Sequence, residues 1–463
     1  MSIQDHVDAE PLRSSLLGDA LDPGTPGYEQ ARRLYNGMID RRPALIARCR
    51  DAGDVRTALD FGRREGLELA VRGGGHNGGG LGSVDDGLVI DLSPMNGVRV
   101  DPQARTATVE GGALLADLDH ATHAFGLATP TGIASTTGIG GLTLGGGHGY
   151  LTRRHGLTID NLVAADVVLA DGSFVTASEH AHGDLFWALR GGGGNFGVVT
   201  SFTFRLHPVT TVVGGPTLWP LEVADEVLRW YREFMPAAPA DVYGFFAVMT
   251  VPPAPIFPAQ LHLQKVCAVV WCCTGPAGEA AERLRAAVHE PAAPVLHGAQ
   301  ELPYPELQRA FDPLIPPGLQ WYWRGDFFRD LPDEAVRQHL DFAAMMPTPL
   351  STMHLYPVDG AAHAVGAHET AFSHRDATWS MVIGGVDPDP ANADVISAWA
   401  QDYWRALHPH SMGAGYVNFM MEEGRERVRA TYRDNYDRLA AVKTTYDPEN
   451  VLHVNQNVEP LHR

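Results

Sequence analysis

Three runs of glycine constrain this chain more than any other feature. They fall at residues 73–80, 138–149 and 191–197, and each adjoins a segment with strand character. Glycine loses more backbone freedom on folding than any other residue, so such density is unfavourable unless the bare backbone is needed. Two needs fit: positive φ angles, and close approach of main chain to a ligand. Peptide N–H groups with no side chains in front of them form concavities for phosphate oxygens. A flexible linker is the bland alternative. Serine is scarce in these runs, however, and apolar strands hold their ends. Glycine supplies 50 of 463 residues, above the usual ~7%.

The runs are not a P-loop, because no lysine follows them. Gly73–Gly78 fits GxGxxG, but that pattern is loose in so glycine-rich a stretch, and Gly79, Gly80 and Gly82 would break a following helix. A diphosphate would be met by peptide N–H groups instead. Three separate concavities suggest one long ligand touching several loops, and FAD has that extent.

The remaining composition narrows the class. Acidic residues number 55 against 35 basic, a formal charge of -20, which disfavours a general nucleic-acid or anionic-membrane binder. Four cysteines stand at 49, 267, 272 and 273 without a CxxC pair, so buried thiols in a reducing compartment are expected rather than a zinc site. The first residues lack a basic stretch leading into an apolar one, and no run of 18 apolar residues occurs. The expectation is a cytoplasmic protein.

Along the chain, short strands at 43–49, 67–71, 88–92 and 106–110 alternate with helices at 51–65 and 113–125. A hairpin turns at Asp171-Gly172. The texture changes near residue 210. Longer strands follow at 242–251, 260–272, 351–356 and 378–386, with helices between them at 222–235, 276–289, 333–345 and 391–406. That pattern predicts an antiparallel sheet with helices on one face. Trp321, Tyr322 and Trp323 stand consecutively. Residues 422–443 read as one amphipathic helix. The fold class is α+β.

His76 sits inside the first run. A satisfied core histidine is the plain reading, and a metal ligand lacks local companions. The chemically distinctive reading is a nucleophilic imidazole joined to an electrophilic methylene carbon of a cofactor.

Together these passages resemble the berberine-bridge-enzyme-like branch of the vanillyl-alcohol-oxidase-type FAD-linked oxidases. The matching stretches are VRGGGHN (71–77), TGIGGLTLGGGHGYLTRRHGLTIDNL (137–162), DLFWALRGGGGNFGVVTSFTF (184–204) and YDPENVLHVNQNVEP (446–460). The resemblance implies a two-domain PCMH-type FAD-binding fold. Residues 1–209 and 411–463 would form the FAD-binding domain, and 210–410 a substrate-binding domain made of an antiparallel sheet covered by helices. It implies His76 as the covalent anchor to the flavin 8α-methyl. Many relatives carry a second, cysteinyl tether, but Ala134 holds that position, so a single link is implied.

Other roles are carried over by the same resemblance. Arg72, Gly73, Gly74, Gly75, His76, Asn77 and Gly78 would surround the diphosphate and flavin edge. Pro130, Thr131, Gly132, Ala134, Thr136 and Thr137 would line the cofactor, as would Gly140, Gly141, Leu144, Gly145 and Gly147. Asp160, Asn161, Gly197 and Val199 belong to motifs near the adenosine, and Asn455 and Asn457 to an Asn-Gln-Asn motif near the flavin. At the position of Thr137 many relatives have valine or leucine, where the residue influences oxygen access. The implied reaction passes a hydride from a small-molecule substrate to flavin, with dioxygen as the final acceptor. A dehydrogenase, an oligosaccharide oxidase and a flavin-retaining scaffold stand as alternatives.

A base must take the substrate proton. Strand alternation places Thr352, His354 and Tyr356 on one face, and Tyr416 and Asn418 on one face of a strand expected at 416–419. Tyr356, then His354, then Tyr416 are the candidates, with Asn418 beside the last. Phe419 stands where the family's Tyr-x-Asn-Tyr pattern ends in tyrosine. The aromatic content favours an aromatic or polycyclic substrate over a sugar. Arg375 is expected to be structural or a carboxylate's partner.

Overall fold

The computed structural model describes residues 7–461. It contains three principal sheets. The smallest has four strands in the order Asp19–Leu21, Leu45–Arg48, Leu88–Asp91, Leu69–Arg72. The last three run parallel, and the helix Ala52–Arg64 makes the crossover between two of them. Asp51 starts that helix by accepting a hydrogen bond from the Asp54 amide at 2.9 Å. Val55, Leu59 and Gly62 are buried beneath it, as the 3.6-residue spacing requires. Two strands end side by side at Arg72 and Asp91, which places the first glycine run at the sheet's carboxyl edge.

The second sheet is antiparallel, in the order Val98–Asp101, Thr106–Glu110, Val198–Arg205, Leu162–Val168, Phe174–Ser178. The third glycine run enters it at Val198. The second run holds a helix, Ile139–Gly145, which its glycine content conceals. The first and second runs touch backbone to backbone: a Cβ on Gly74 would collide with the amide of Gly138, and one on Gly138 with the amide of Gly74. Only glycine fits both sides of that contact.

The third sheet takes its strands from residues 211–387, all antiparallel. The four expected long strands are there, and two more, Thr211–Pro220 and Gln320–Phe328, join them. The helices Ala224–Ala237, Ala277–Ala287, Asp333–Ala344 and Ala393–Leu407 bury Tyr231, Leu284, Val336 and Tyr403 against one face, with Trp271, Phe246 and Trp379 from the strands. Alternation turns Tyr243, Phe245 and Tyr356 to the opposite face, toward the glycine-rich half of the chain. The consecutive aromatics divide in the same way. Tyr322 packs on the helix side, while Trp321 and Trp323 face the other way.

Two expectations need correction. The tail forms two helices, Arg425–Tyr432 and Tyr436–Tyr446, not one over 422–443. Arg433 takes a positive φ between them, and the buried Asn435 amide donates to the Ala367 carbonyl at 2.8 Å. Residues 417–419 are a 3₁₀ turn rather than a strand. The Phe419 amide donates to the Tyr416 carbonyl at 2.8 Å, the i to i+3 bond that closes such a turn. Among the described residues no helix is long and apolar enough to cross a membrane.

Four histidines, three buried and His354 half-buried on the cavity wall, give the fold an acid sensitivity. Burial lowers His148, His339 and His374 to about 3 and His354 to about 4, from 6.5. Between those limits the unfolded chain holds protons that the native state excludes, so stability rises with pH and is lost as pH falls below about 6.5. One such histidine gives a slope of about 1.4 kcal/mol per pH unit. Denaturant unfolding between pH 7 and pH 5 should show at least that slope, and equal stability at both ends would contradict the burial.

Candidate functional site

One cavity of about 440 Å³ lies where the three glycine runs, the open face of the largest sheet and the C-terminal segment meet. Arg72, Gly73, Gly74, Gly75, His76 and Asn77 form part of its wall. Gly132, Ala134, Thr137, Gly140, Gly141 and Leu144 continue it, joined by Gly197, Val199 and Asn455. A Cβ on Gly141 or Gly194 would meet nothing within 4 Å, so these wall positions stand open.

The His76 ring is clamped. Tyr35 stacks on it with centroids 3.7 Å apart and planes 23° apart, and Tyr35 Oη is itself held by the Ile315 carbonyl at 2.7 Å. Nε2 of His76 hydrogen-bonds Thr136 Oγ1 at 3.1 Å, while no described residue hydrogen-bonds Nδ1. Burial lowers the imidazole to about 4, so it is neutral at physiological pH, and in the tautomer whose Nε2–H donates to Thr136, Nδ1 carries the lone pair.

Several sequence-derived positions lie behind the wall. The indole of Trp323 packs on Gly78. Thr131 Oγ1 accepts from Gln308 at 2.9 Å, and Thr136 acts through His76. Gly145 packs under the Asn418 amide, and Gly147 serves through its backbone. Asp160 is paired with Arg375 at 2.6 Å, and Asn161 spends its amide on the His155 and Leu157 carbonyls. Pro130 is buried and Asn457 is half-buried, both off the wall. Arg72 lines the cavity, but its guanidinium is bound to Asp91 at 2.6 Å, so a diphosphate there depends on peptide N–H groups.

All four candidate catalytic residues reach the cavity. His354 Nδ1 and Tyr356 Oη are 2.6 Å apart. Burial lowers the imidazole to about 4 and pushes the phenol up. Whichever atom holds the shared hydrogen, the pair retains one further donor and one further acceptor. Tyr416 is arranged differently. Its oxygen accepts from the Gly147 amide at 2.8 Å and from Asn418 Nδ2 at 2.8 Å. The same Asn418 nitrogen donates to the Leu142 carbonyl at 3.2 Å, which identifies the amide's nitrogen end. Tyr416 therefore has only its own hydrogen left to offer.

Sequence reasoning passed over two wall residues. Tyr35 carries no signal until its contact with His76 is known. His148 lies inside the second glycine run. It is buried, bonded through Nε2 to Ser380 Oγ at 3.1 Å, and its ring centroid is 4.7 Å from that of Tyr416 and 5.2 Å from that of Tyr356.

The site suits an extended flavin nucleotide: bare backbone on three loops, an orphaned Asn455 Oδ1, and a free Nδ1 on His76. Comparison with known proteins agrees. Residues 43–178 match a family model described as an FAD binding domain, and 415–459 one described as berberine and berberine like. An FAD-linked oxidoreductase of Dictyostelium discoideum is 31% identical over 451 residues, covering 96% of each chain. The (R)-6-hydroxynicotine oxidase of Paenarthrobacter nicotinovorans is 31% identical over 472 residues, with 98% of each covered. The crystal structure of 6-hydroxy-D-nicotine oxidase from Arthrobacter nicotinovorans superposes with a TM-score of 0.85 at 28% identity, covering 98% of this chain and 100% of that one. Their fold is the two-domain PCMH-type FAD-binding fold, and the mixed helices and antiparallel sheets described above are the same α+β architecture. The chain belongs to the berberine-bridge-enzyme-like FAD-linked oxidoreductases.

Proposed function

We propose that this protein is an oxidase that takes a hydride from an alcohol, amine or phenolic substrate, using FAD held by one covalent bond to His76 and reoxidised by dioxygen to hydrogen peroxide. The observation that carries the reading is the His354–Tyr356 pair at 2.6 Å, on the same cavity wall as His76. When bound, FAD supplies the redox chemistry, and the protein supplies binding, orientation and proton transfer. Residues 1–209 and 411–463 would hold the cofactor, and 210–410 would supply the substrate wall.

His76 is suited to attachment through Nδ1, because Thr136 occupies Nε2 and the stacked Tyr35 fixes the ring. A second, sulfur link has no candidate. All four cysteines are buried and none lines the cavity. The proton relay would use the pair on the sheet. Tyr356 would accept the substrate's hydroxyl proton while passing its own to His354, so the phenol stays neutral and the proton's charge rests on the imidazole until Nε2 gives it up. A dehydrogenase with another acceptor differs only at reoxidation. Rapid return of the oxidised absorption band on mixing reduced enzyme with air separates the two, with Thr137 on the cavity wall. Trp321, Trp323 and Phe311 on that wall favour an aromatic substrate over an oligosaccharide.

Two measurements test this reading. Denatured parent protein should keep its yellow colour and carry one flavin mass, and His76→Ala should release all flavin on denaturation. A parent polypeptide of bare mass would remove the anchor. Tyr356→Phe and His354→Leu should each slow anaerobic flavin reduction by ~10²–10⁴-fold. In the parent the reduction rate should be level above pH 6 and fall as pH drops toward about 4, where His354 gains its proton. Unchanged rates in both variants would exclude the pair as the base.

A further inference from the structure

The cavity's charge pattern restricts the substrate further. Among the described residues, Arg72 is the one Asp, Glu, Lys or Arg side chain on the wall, and Asp91 neutralises it at 2.6 Å. Asp312 is the carboxylate next to wall residue Phe311. It turns both oxygens onto Ser135, taking the hydroxyl at 2.5 Å and the amide at 3.2 Å. The wall imidazoles of His148 and His354 are neutral at physiological pH, since burial lowers them to about 3 and about 4. A protonated amine entering here would lose its water and meet no counter-charge. A carboxylate would meet no free cation. Either transfer is strongly unfavourable.

The remaining wall polarity is spent or concentrated. Thr352 Oγ1 donates to the Val248 carbonyl at 2.8 Å, and Ser351 Oγ lies 2.7 Å from Thr348 Oγ1. On the sheet side this leaves the His354–Tyr356 pair, with one donor and one acceptor, the Tyr416 hydroxyl hydrogen, and the Nε1 groups of Trp321 and Trp323, unpartnered among the described residues. His148 Nδ1 and Asn455 Oδ1 on the wall are unpartnered as well, and all of these groups are uncharged. Around them stand apolar and aromatic groups. Trp321 and Trp323 lie with ring centroids 5.7 Å apart at 63°, and Met249, Leu314 and Leu350 continue the surface. Such a wall matches a flat apolar body carrying a small polar edge.

We propose that the cavity takes an uncharged aromatic alcohol, its hydroxyl directed at the His354–Tyr356 pair and a neighbouring acceptor oxygen at the Tyr416 hydroxyl, and that it rejects protonated amines and carboxylates. The inference rests on the flavin oxidoreductase reading and narrows its substrate class. In the oxidation the carbinol C–H bond breaks and its electron pair leaves as hydride to the bound flavin. The O–H proton passes to the Tyr356–His354 pair and on to solvent, and the carbon becomes a carbonyl.

Binding tests this separately from turnover. Quenching of intrinsic tryptophan fluorescence at pH 7 would be titrated with four probes: 1-(2-naphthyl)ethanol, 2-naphthylmethylamine, 2-naphthoate and cellobiose. The carbinol should bind at least tenfold more tightly than the amine or the naphthoate, and cellobiose should not bind. Repeating the amine titration at pH 10, where more of it is neutral, should bring it closer to the carbinol. Tyr416→Phe should weaken 1-(2-naphthyl)-1,2-ethanediol, which offers a second oxygen, about tenfold more than it weakens 1-(2-naphthyl)ethanol. Equal or tighter binding of the charged probes, no binding of the carbinol, or equal losses for the two alcohols would overturn the assignment. Carbinol binding with the expected preferences but no flavin reduction by any alcohol would leave the binding class standing and sink the oxidase reading instead.

Discussion

Everything at the site depends on backbones that touch without side chains between them. The Gly74–Gly138 contact brings the loop after one sheet against the loop that begins the helix Ile139–Gly145. The third run is secured from the other side. Lys443 Nζ, fully buried, donates to the Asn195 carbonyl at 2.7 Å, to the Leu452 carbonyl at 2.9 Å and to Asp447 Oδ2 at 2.6 Å. Asp447 in turn accepts from the amides of Val451 and Leu452. A buried ion pair is favourable when its hydrogen-bonding capacity is filled in this way. The pair ties the last helix, the third glycine run and the segment carrying Asn455 into one unit. Sequence-distant loops therefore form one wall.

The same design separates charge from the reaction space. The chain carries a formal charge of -20, yet the one charged side chain on the cavity wall, among the described residues, is paired, and Asp312 behind the wall is held by Ser135. Arg72 serves Asp91, and off the wall Arg375 serves Asp160 and Arg153 serves Asp359. Conserving neutrality there makes peptide dipoles and neutral hydrogen bonds the main polar influences on a bound molecule. In a site of low dielectric those dipoles count for more than in water.

Much of the fold was legible because periodicity reports burial. The long strands at 242–251 and 378–386 and the helix at 51–65 stand close to where alternation and capping placed them. The failures share a cause: tertiary contacts outweighed local preference. Residues 139–145 form a helix despite their glycines, because Gly140 lies against the Gly111 carbonyl and Ile139 is fully buried. Residues 320–328 form a strand that seven residues of mixed aromatic and charged character disguise, and its pairing with Trp379–Asp387 sets it. The turn at 417–419 is decided by Asn418 bridging Tyr416 and Leu142. Of these partners only Tyr416 is near in sequence.

For the site, residue types were legible and their hydrogen-bond polarity was not. Tyr356 and Tyr416 look interchangeable in sequence, and burial pushes both phenols up, so neither ionises unaided at neutral pH. Their neighbours make them opposites. Tyr356 faces an imidazole nitrogen that can take its hydrogen, so its oxygen can receive another. Tyr416 has both acceptor positions filled by the Gly147 and Asn418 N–H groups, so it can only give. The proposed reaction, which would draw a proton from one oxygen while steadying a second, would use one phenol of each kind. The sheet supplies the first through its period of two, and the glycine run supplies the second through a bare amide. The role of each tyrosine thus belongs to the atoms bonded to its oxygen, which only the folded chain brings there.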